Sequence, residues 1–424
     1  MAQLSAQRWW MIGAGLVAAA LVAILAIVFT SNRAPAPVAT SSPAPSPTVS
    51  TTAPSPSSAS PVPASSAPAT SAAASGGVAA TKLAELTLEQ KLGQVLMVSS
   101  AVTGADANSL YALDTLYVGN VFMKGRSTAG QAEIAAQVSA VAGHISGSRT
   151  AGILPFVATD QEGGMVQIMR GPGFAEMPQA IEQGQLTASA LQGKATEWGQ
   201  QLADVGVNVN LAPVLDTVPG AAFAPQNAPI GAFGREFGYT PAAVSSHGIA
   251  FAKGMQAAGV DATVKHFPGL GRVTENTDVE ASVVDAITVR NDAYIAPFRD
   301  AVKAGVPWLM ISNASYPQID AKELAPFSPV IVNEMVRGDL GFKGIIVSDD
   351  ICDAVQVSSV PVSQRGVLFL KAGGTMALCT NQKLLPQMYA GMLETAQSDP
   401  AFAKTIDAAA LLVLTMKVDR GLVK

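Results

Sequence analysis

The stretch Lys265–Glu280, KHFPGLGRVTENTDVE, puts a Lys-His pair, a Phe-Pro-Gly turn and a run of polar side chains directly after the apolar-rich GVDATV. The chain has only three histidines and 13% charged residues, so this gathering singles the segment out. Carboxylates collect at comparable places: Asp160 and Glu162 in ATDQEGG, Asp216 in PVLD, and Asp349 and Asp350 in VSDD, while Arg235 in GAFGREFG adds a cation. Two carboxyl-type groups flanking a bond, with further polar groups gripping hydroxyls, is what hydrolysis of a glycosidic bond asks for. No Cys-His or Ser-His-acid arrangement competes. His144 and His247 lie in stretches of helical pattern and read as helix-surface or packing residues, and only His266 ends a strand-like run. No metal-ligand spacing involves the two cysteines and no glycine-rich dinucleotide fingerprint follows the first strand, so neither metal nor cofactor is expected.

These groups need elements that bring them to one place. Thr87 with Gln90 three residues later forms a capping-box pattern ahead of an apolar-periodic helix. Eight short apolar runs rich in β-branched residues follow: QVLMVSS, GNVFMKG, PFVATDQEGG, VNVNLAPVLD, DATVKHFPG, PWLMISNASYP, GIIVSDDI and TMALCTN. Buried runs alternating with amphipathic stretches imply parallel strands joined by helical crossovers. Eight such units predict an α/β fold of the (β/α)8 TIM-barrel type, with a doubly wound open sheet as the alternative. Barrel strands present their C-terminal ends to the active-site face. Asp160, Glu162, Asp216, Lys265, His266, Asn313, Asp349 and Asp350 all sit at run ends, so they should converge there.

The first 80 residues have a different character. Residues 1–33 contain the apolar run Trp9–Thr30, as long as the roughly 20 residues of a membrane-spanning helix, and read as an uncleaved anchor in preference to a signal segment. Residues 34–80 are rich in Ala, Pro, Ser and Thr and read as a disordered, extended tether. The folded domain is expected from residue 81 to 424. The expected location is the cell membrane, with the folded domain extracytoplasmic, or secreted if the N-terminal segment is cleaved. A net charge of −5 without a basic run leaves no footprint for nucleic acid. Cys352 and Cys379 close two successive apolar runs; a disulfide and two buried thiols are both open.

From Leu86 onward the chain resembles the bacterial family 3 glycoside hydrolases, specifically their single-domain β-N-acetylglucosaminidases. The resemblance rests on LTLEQKLGQVLM, VATDQEGGMVQIMRGPGFAEMP, VNVNLAPVLDTVP, GREFG, KHFPGLGRVTENTD and GIIVSDDI, in the family's order. It implies a retaining glycosidase acting on N-acetylglucosamine-containing wall fragments, with Asp349 as nucleophile and Asp160, Arg170, Arg235, Lys265 and His266 holding the sugar. A nucleophile must stay ionised, which a nearby Lys265 or Arg235 would favour. Strand alternation would let only one of Asp349 and Asp350 face the mouth.

The second half of KHFPGLGRVTENTDVE departs from the family. There the loop reads Lys-His-Phe-Pro-Gly-His-Gly and ends in Asp-Ser-His, with the last histidine as acid/base and the aspartate orienting it. Here Leu270, Asn276, Thr277 and Asp278 occupy those places. Three readings follow. Asp278 is the acid/base, positioned by a hydrogen bond from Asn276; or Glu280 or Glu275 takes the role; or the acid/base is missing and the chain is a silent sugar-binding protein. An aspartic acid would need burial or nearby negative charge to stay protonated near neutral pH. An anionic Asp278 would repel phosphate, so hydrolysis is expected over phosphorolysis. Met165 and Thr375 replace a usual arginine and aspartate, which leaves N-acetyl specificity to family likeness and keeps a β-glucosidase or β-xylosidase as an alternative.

Overall fold

The eight apolar runs each contain one strand of a single parallel sheet. The computed structural model describes residues 69–145 and 147–423. Its strands are β1 (Leu96–Ala101), β2 (Asn120–Lys124), β3 (Phe156–Thr159), β4 (Val209–Asn210), β5 (Asp261–Phe267), β6 (Trp308–Ile311), β7 (Ile345–Ser348) and β8 (Ala377–Cys379). They run in the order β7-β6-β5-β4-β3-β2-β1-β8, and the bridge between Val347 and Met376 brings β7 against β8. The sheet is thus a nearly closed barrel, not the open alternative. Its strands are buried on both faces, which is why they read as continuous apolar runs.

Crossover helices alternate with the strands: Gln131–His144, Ala188–Ala203, Pro241–Ala257, Ala296–Lys303 and Val362–Lys371 among them, with the π-helix Val330–Asp339 between β6 and β7. The capping box at Thr87 forms, Thr87 Oγ1 accepting from the Gln90 amide and Gln90 Oε1 from the Thr87 amide. Helix Pro400–Asp419 closes the end of the barrel away from the strand C-termini. Its buried Lys417 donates to Gln94 Oε1 at 2.8 Å and Gly119 O at 3.0 Å, and Arg420 pairs with Asp261. The Asp261 carboxylate also accepts from Trp308 Nε1 at 3.2 Å, and Trp308 meets Phe156 edge to face at 4.9 Å.

The helix Ala69–Glu85 spans the expected boundary at residues 80 and 81. It takes up residues assigned to the tether, starts directly after the last proline of that segment, Pro68, and packs on Pro400–Asp419 through Ala79, Leu86, Ile153, Leu414 and Val423. Averaging composition over 34–80 masked this proline-free end. The anchor Trp9–Thr30 and the tether before residue 69 lie outside the described residues; among the described residues no helix is long and apolar enough to cross a membrane. Cys352 and Cys379 form a disulfide, with Cα atoms 5.0 Å apart.

Candidate active site

The strand C-termini surround a cavity of about 550 Å³. Asp160 follows β3, Lys265 and His266 lie in β5, Asp349 and Asp350 follow β7, and Arg235 and Asp278 come from the loops after β4 and β5; all seven line it. Lys265 and His266 both face the cavity although they are consecutive; the Lys265–His266 peptide and the following Phe267–Pro268 peptide are cis.

The cations are already spoken for by Glu162, a strand-end carboxylate to which the sequence assigned no partner. Arg235 grips its carboxylate in bidentate fashion, Nε at 2.8 Å and Nη2 at 2.7 Å, while Lys265 Nζ lies 2.6 Å from Glu162 Oε1 and 2.7 Å from Asp160 Oδ1. Burial opposes the Glu162 charge, but Arg235 and Lys265 outweigh it and bring its pKa down to about 2. Burial likewise opposes the Lys265 ammonium, yet Asp160 and Glu162 hold its pKa above the usual lysine value. Lys265 and Arg235 therefore answer Glu162 and Asp160 first, not Asp349 as expected. The Gly163–Gly164 turn that delivers Glu162 needs its glycine: Gly163 has φ of 113°, and a Cβ there would lie 2.2 Å from Pro178 O.

Asp216 is the second strand-end carboxylate whose partner the sequence did not show. Fully buried, it accepts from His266 Nδ1 at 2.7 Å, from the His266 amide at 3.2 Å and from the Leu270 amide at 2.8 Å. A carboxylate can only accept, so the Nδ1 proton is fixed toward Asp216 and Nε2 is left for the cavity.

Both Asp349 and Asp350 line the cavity, against the expectation from strand alternation. The reason is that β7 ends at Ser348, so neither aspartate is held in the pleat. Their environments separate them instead. The Asp350 carboxylate accepts from the amides of Cys352 (2.9 Å), Asp353 (3.2 Å) and Thr380 (3.0 Å) and from the Thr380 hydroxyl. Asp349 accepts one hydrogen bond, at 2.8 Å to Oδ1 from the Asp350 amide, which leaves its other oxygen to a substrate.

Asp278 lines this cavity together with Asp349. By accessible area it is exposed, but that area opens into the cavity, whose walls strip it of much of its hydration. This burial raises its pKa, and the charge of Asp349 adds to the rise; Arg235 and His266 oppose it, and the balance lies at about 6. Asn276 does not hold the carboxyl, as expected from sequence, but accepts from the Asp278 backbone amide at 3.0 Å and so shapes the turn. The loop is fastened to the segment after the nucleophile. The Val355 amide donates to Asp278 O (3.2 Å), the Gln356 amide to Thr277 O (3.1 Å), and the Gln356 side chain bonds both ways with the Val283 backbone (2.8 and 3.1 Å).

Other candidates are not brought in. Glu275 and Glu280 are exposed and absent from the cavity lining. Arg170 pairs with Glu176 and donates to Gly164 O, and it too is absent from the lining. His144 lies by Asp114 at 2.9 Å and His247 by the carbonyls of Ala243 and Leu186, as helix-surface residues. Thr375 is buried and accepts from Arg337 Nη2 at 2.8 Å, so its departure concerns barrel packing, whereas Met165 is solvent-exposed.

Residues 87–416 match the model of the glycosyl hydrolase family 3 N-terminal domain. A beta-hexosaminidase of Stenotrophomonas maltophilia is 33% identical over 242 residues, 54% of this chain and 68% of that protein. One of Xanthomonas campestris is 33% identical over 266 residues, 61% and 75% respectively. The crystal structure of a beta-N-acetylhexosaminidase from Beutenbergia cavernae superposes with a TM-score of 0.78 at 45% identity, covering 79% of this chain and 99% of that one.

Proposed function

The chain belongs to glycoside hydrolase family 3 and is a glycosidase, and on that premise we propose that it is a retaining exo-hydrolase of terminal β-linked N-acetylglucosamine. The observation that carries this reading is the pair of unequal carboxyl groups in one cavity. Asp278, pushed up to about 6, retains a proton to give to the leaving oxygen, while Asp349 offers an unengaged oxygen to the anomeric carbon. In the first step Asp349 attacks and Asp278 protonates the departing alcohol. In the second, Asp278 takes a proton from water as the water displaces Asp349 from the sugar. Lys265, Asp160 and His266 hold ring hydroxyls, and Arg235 with Glu162 keeps Lys265 in place.

The substrate proposed is a wall-derived glycan, and the anchor at residues 1–33 would hold the barrel outside the membrane across the tether. The disulfide supports an oxidising, extracytoplasmic setting. The enzyme reading is tested in the full-length chain with Asp349→Gly. Turnover of an aryl β-N-acetylglucosaminide should vanish and return with azide, giving an α-configured glycosyl azide. A wild-type protein without turnover on any aryl glycoside, or an Asp349→Gly variant that remains active without azide, would overturn it.

A further inference from the structure

Asp349 lies at the weakest seam of the barrel. β7 pairs with β6 through four residues, Ile345 to Ser348, but meets β8 through the single bridge of Val347 with Met376. Beyond Ser348 the pairing continues only as single backbone bonds, from the Asp349 amide to Ile311 O at 3.0 Å and from the Ile351 amide to Leu378 O at 3.2 Å. The covalent tie between the two sides there is the Cys352–Cys379 disulfide, three residues after Asp349 and one before Thr380. Its cysteines are 3% and 0% exposed and lie in the wall, not in the cavity lining, so they are not placed to touch substrate.

We propose that this disulfide is a positioning element for the nucleophile, locking the turn that carries Asp349 and Asp350 onto the end of β8. The proposal rests on the reading of Asp349 as nucleophile. The path is short. Cys379 fixes Thr380, whose amide and hydroxyl both donate to the Asp350 carboxylate, and Cys352 donates its own amide to the same carboxylate at 2.9 Å. Asp350, held from both ends of the disulfide, then presents its amide to Asp349 Oδ1 at 2.8 Å. Lys124 Nζ, reaching from β2, donates to Thr380 Oγ1 at 2.9 Å and supports the frame from the far side. A bridge that merely stabilised the fold would act on the unfolded chain. This one acts additionally on the attacking geometry, where a displacement of about 1 Å costs about a hundredfold in rate.

The test compares three variants of the full chain: Cys352→Ala/Cys379→Ala, Thr380→Val, which keeps the disulfide and removes one donor to Asp350, and Asp349→Asn as reference. Rates are normalised to competent sites by titrating the trapped glycosyl-enzyme, so unfolded molecules do not count. The double variant should lose roughly ten- to a hundredfold in kcat per site while KM stays within about twofold, with activated and poor leaving groups alike. Thr380→Val should lose kcat in the same selective way, and it decides the matter if the double variant does not fold. Wild-type kcat per site in a folded double variant, or in Thr380→Val where the double variant does not fold, would overturn the proposal. If Asp349→Asn retained turnover, the nucleophile reading itself would fall, an outcome distinct from that one.

Discussion

On the proposed reading the proton on Asp278 decides how this site works, and its consequences are calculable. Burial and the charge of Asp349 lift the carboxyl from 3.8 to about 6. With that pKa it is about 90% protonated at pH 5 and about 10% at pH 7, whereas an unshifted aspartic acid would be protonated in roughly one molecule per thousand at pH 7. As the general acid it must be protonated in the free enzyme, so kcat/KM should fall with unit slope above a pH near 6. Asp278→Asn should flatten that limb. It should also cost about 10²–10⁴-fold in kcat/KM for phenyl β-N-acetylglucosaminide, the range that general acid catalysis supplies. For a 2,4-dinitrophenyl leaving group, which departs without a proton, kcat/KM should change little and deglycosylation should become limiting. Stopped-flow and steady-state rates over pH 4–9 on both substrates provide the assay. An alkaline limb that persists in Asp278→Asn, or equal losses on both leaving groups, would refute the assignment.

The remaining expectations concern the surrounding charges. Glu162→Gln leaves buried Lys265 and Arg235 short of a carboxylate and should destabilise the barrel by about 3–5 kcal/mol, seen as a drop in Tm by calorimetry. Because the folded pKa of Glu162 is depressed from 4.5 to about 2, its stabilisation is present above pH 4.5 and is lost as pH falls toward 2, a dependence that Glu162→Gln should lack. Inorganic phosphate should not accelerate turnover of an aryl β-N-acetylglucosaminide, since ionised Asp278 repels it in the second step; formation of a sugar 1-phosphate would contradict this. Asn276→Asp keeps the acceptor for the Asp278 amide but adds negative charge beside it, so the alkaline limb of kcat/KM should move to higher pH with KM unchanged.

The barrel was readable because its strands are buried on both faces, and the ends of those runs correctly placed Asp160, Lys265, His266, Asp349 and Asp350 at one mouth. What sequence could not supply were partnerships set by barrel curvature. Glu162 stood in plain view as a strand-end carboxylate, but that Arg235 and Lys265 both close on it depends on how loops from β3, β4 and β5 meet. Asp216 was seen as a polar strand end for the same reason, without the histidine it orients. Arg170 stands apart from the other proposed sugar contacts. Its motif suggested the sugar, whereas its guanidinium is engaged by Glu176 and Gly164 O outside the cavity lining. Strand alternation misjudged Asp349 and Asp350 because the strand had already ended.

On the proposed reading, the exchange of the histidine implied by the family resemblance for Asp278 follows a consistent electrostatic logic. A histidine has an intrinsic pKa of about 6.5, already suited to acid/base work, but its two nitrogens are inequivalent and need a neighbour to fix the ring. A carboxyl has the reverse problem. Its two oxygens are equivalent, so orientation matters less, but its pKa must rise by about two units. Here the proposed nucleophile itself supplies part of that rise, because the negative charge of Asp349 lies in the same cavity as Asp278. The orienting aspartate then loses its purpose, and residue 276 is free to be an asparagine whose oxygen serves the backbone of the turn. Positional control passes to the protein frame: Gln356 and Val355 fasten the acid/base loop to the chain segment after the nucleophile, and the disulfide fastens that segment to β8. The proposed acid and nucleophile are thereby mounted on one cross-linked unit, so the separation through which Asp349 raises the Asp278 pKa is also the separation that would set their chemistry.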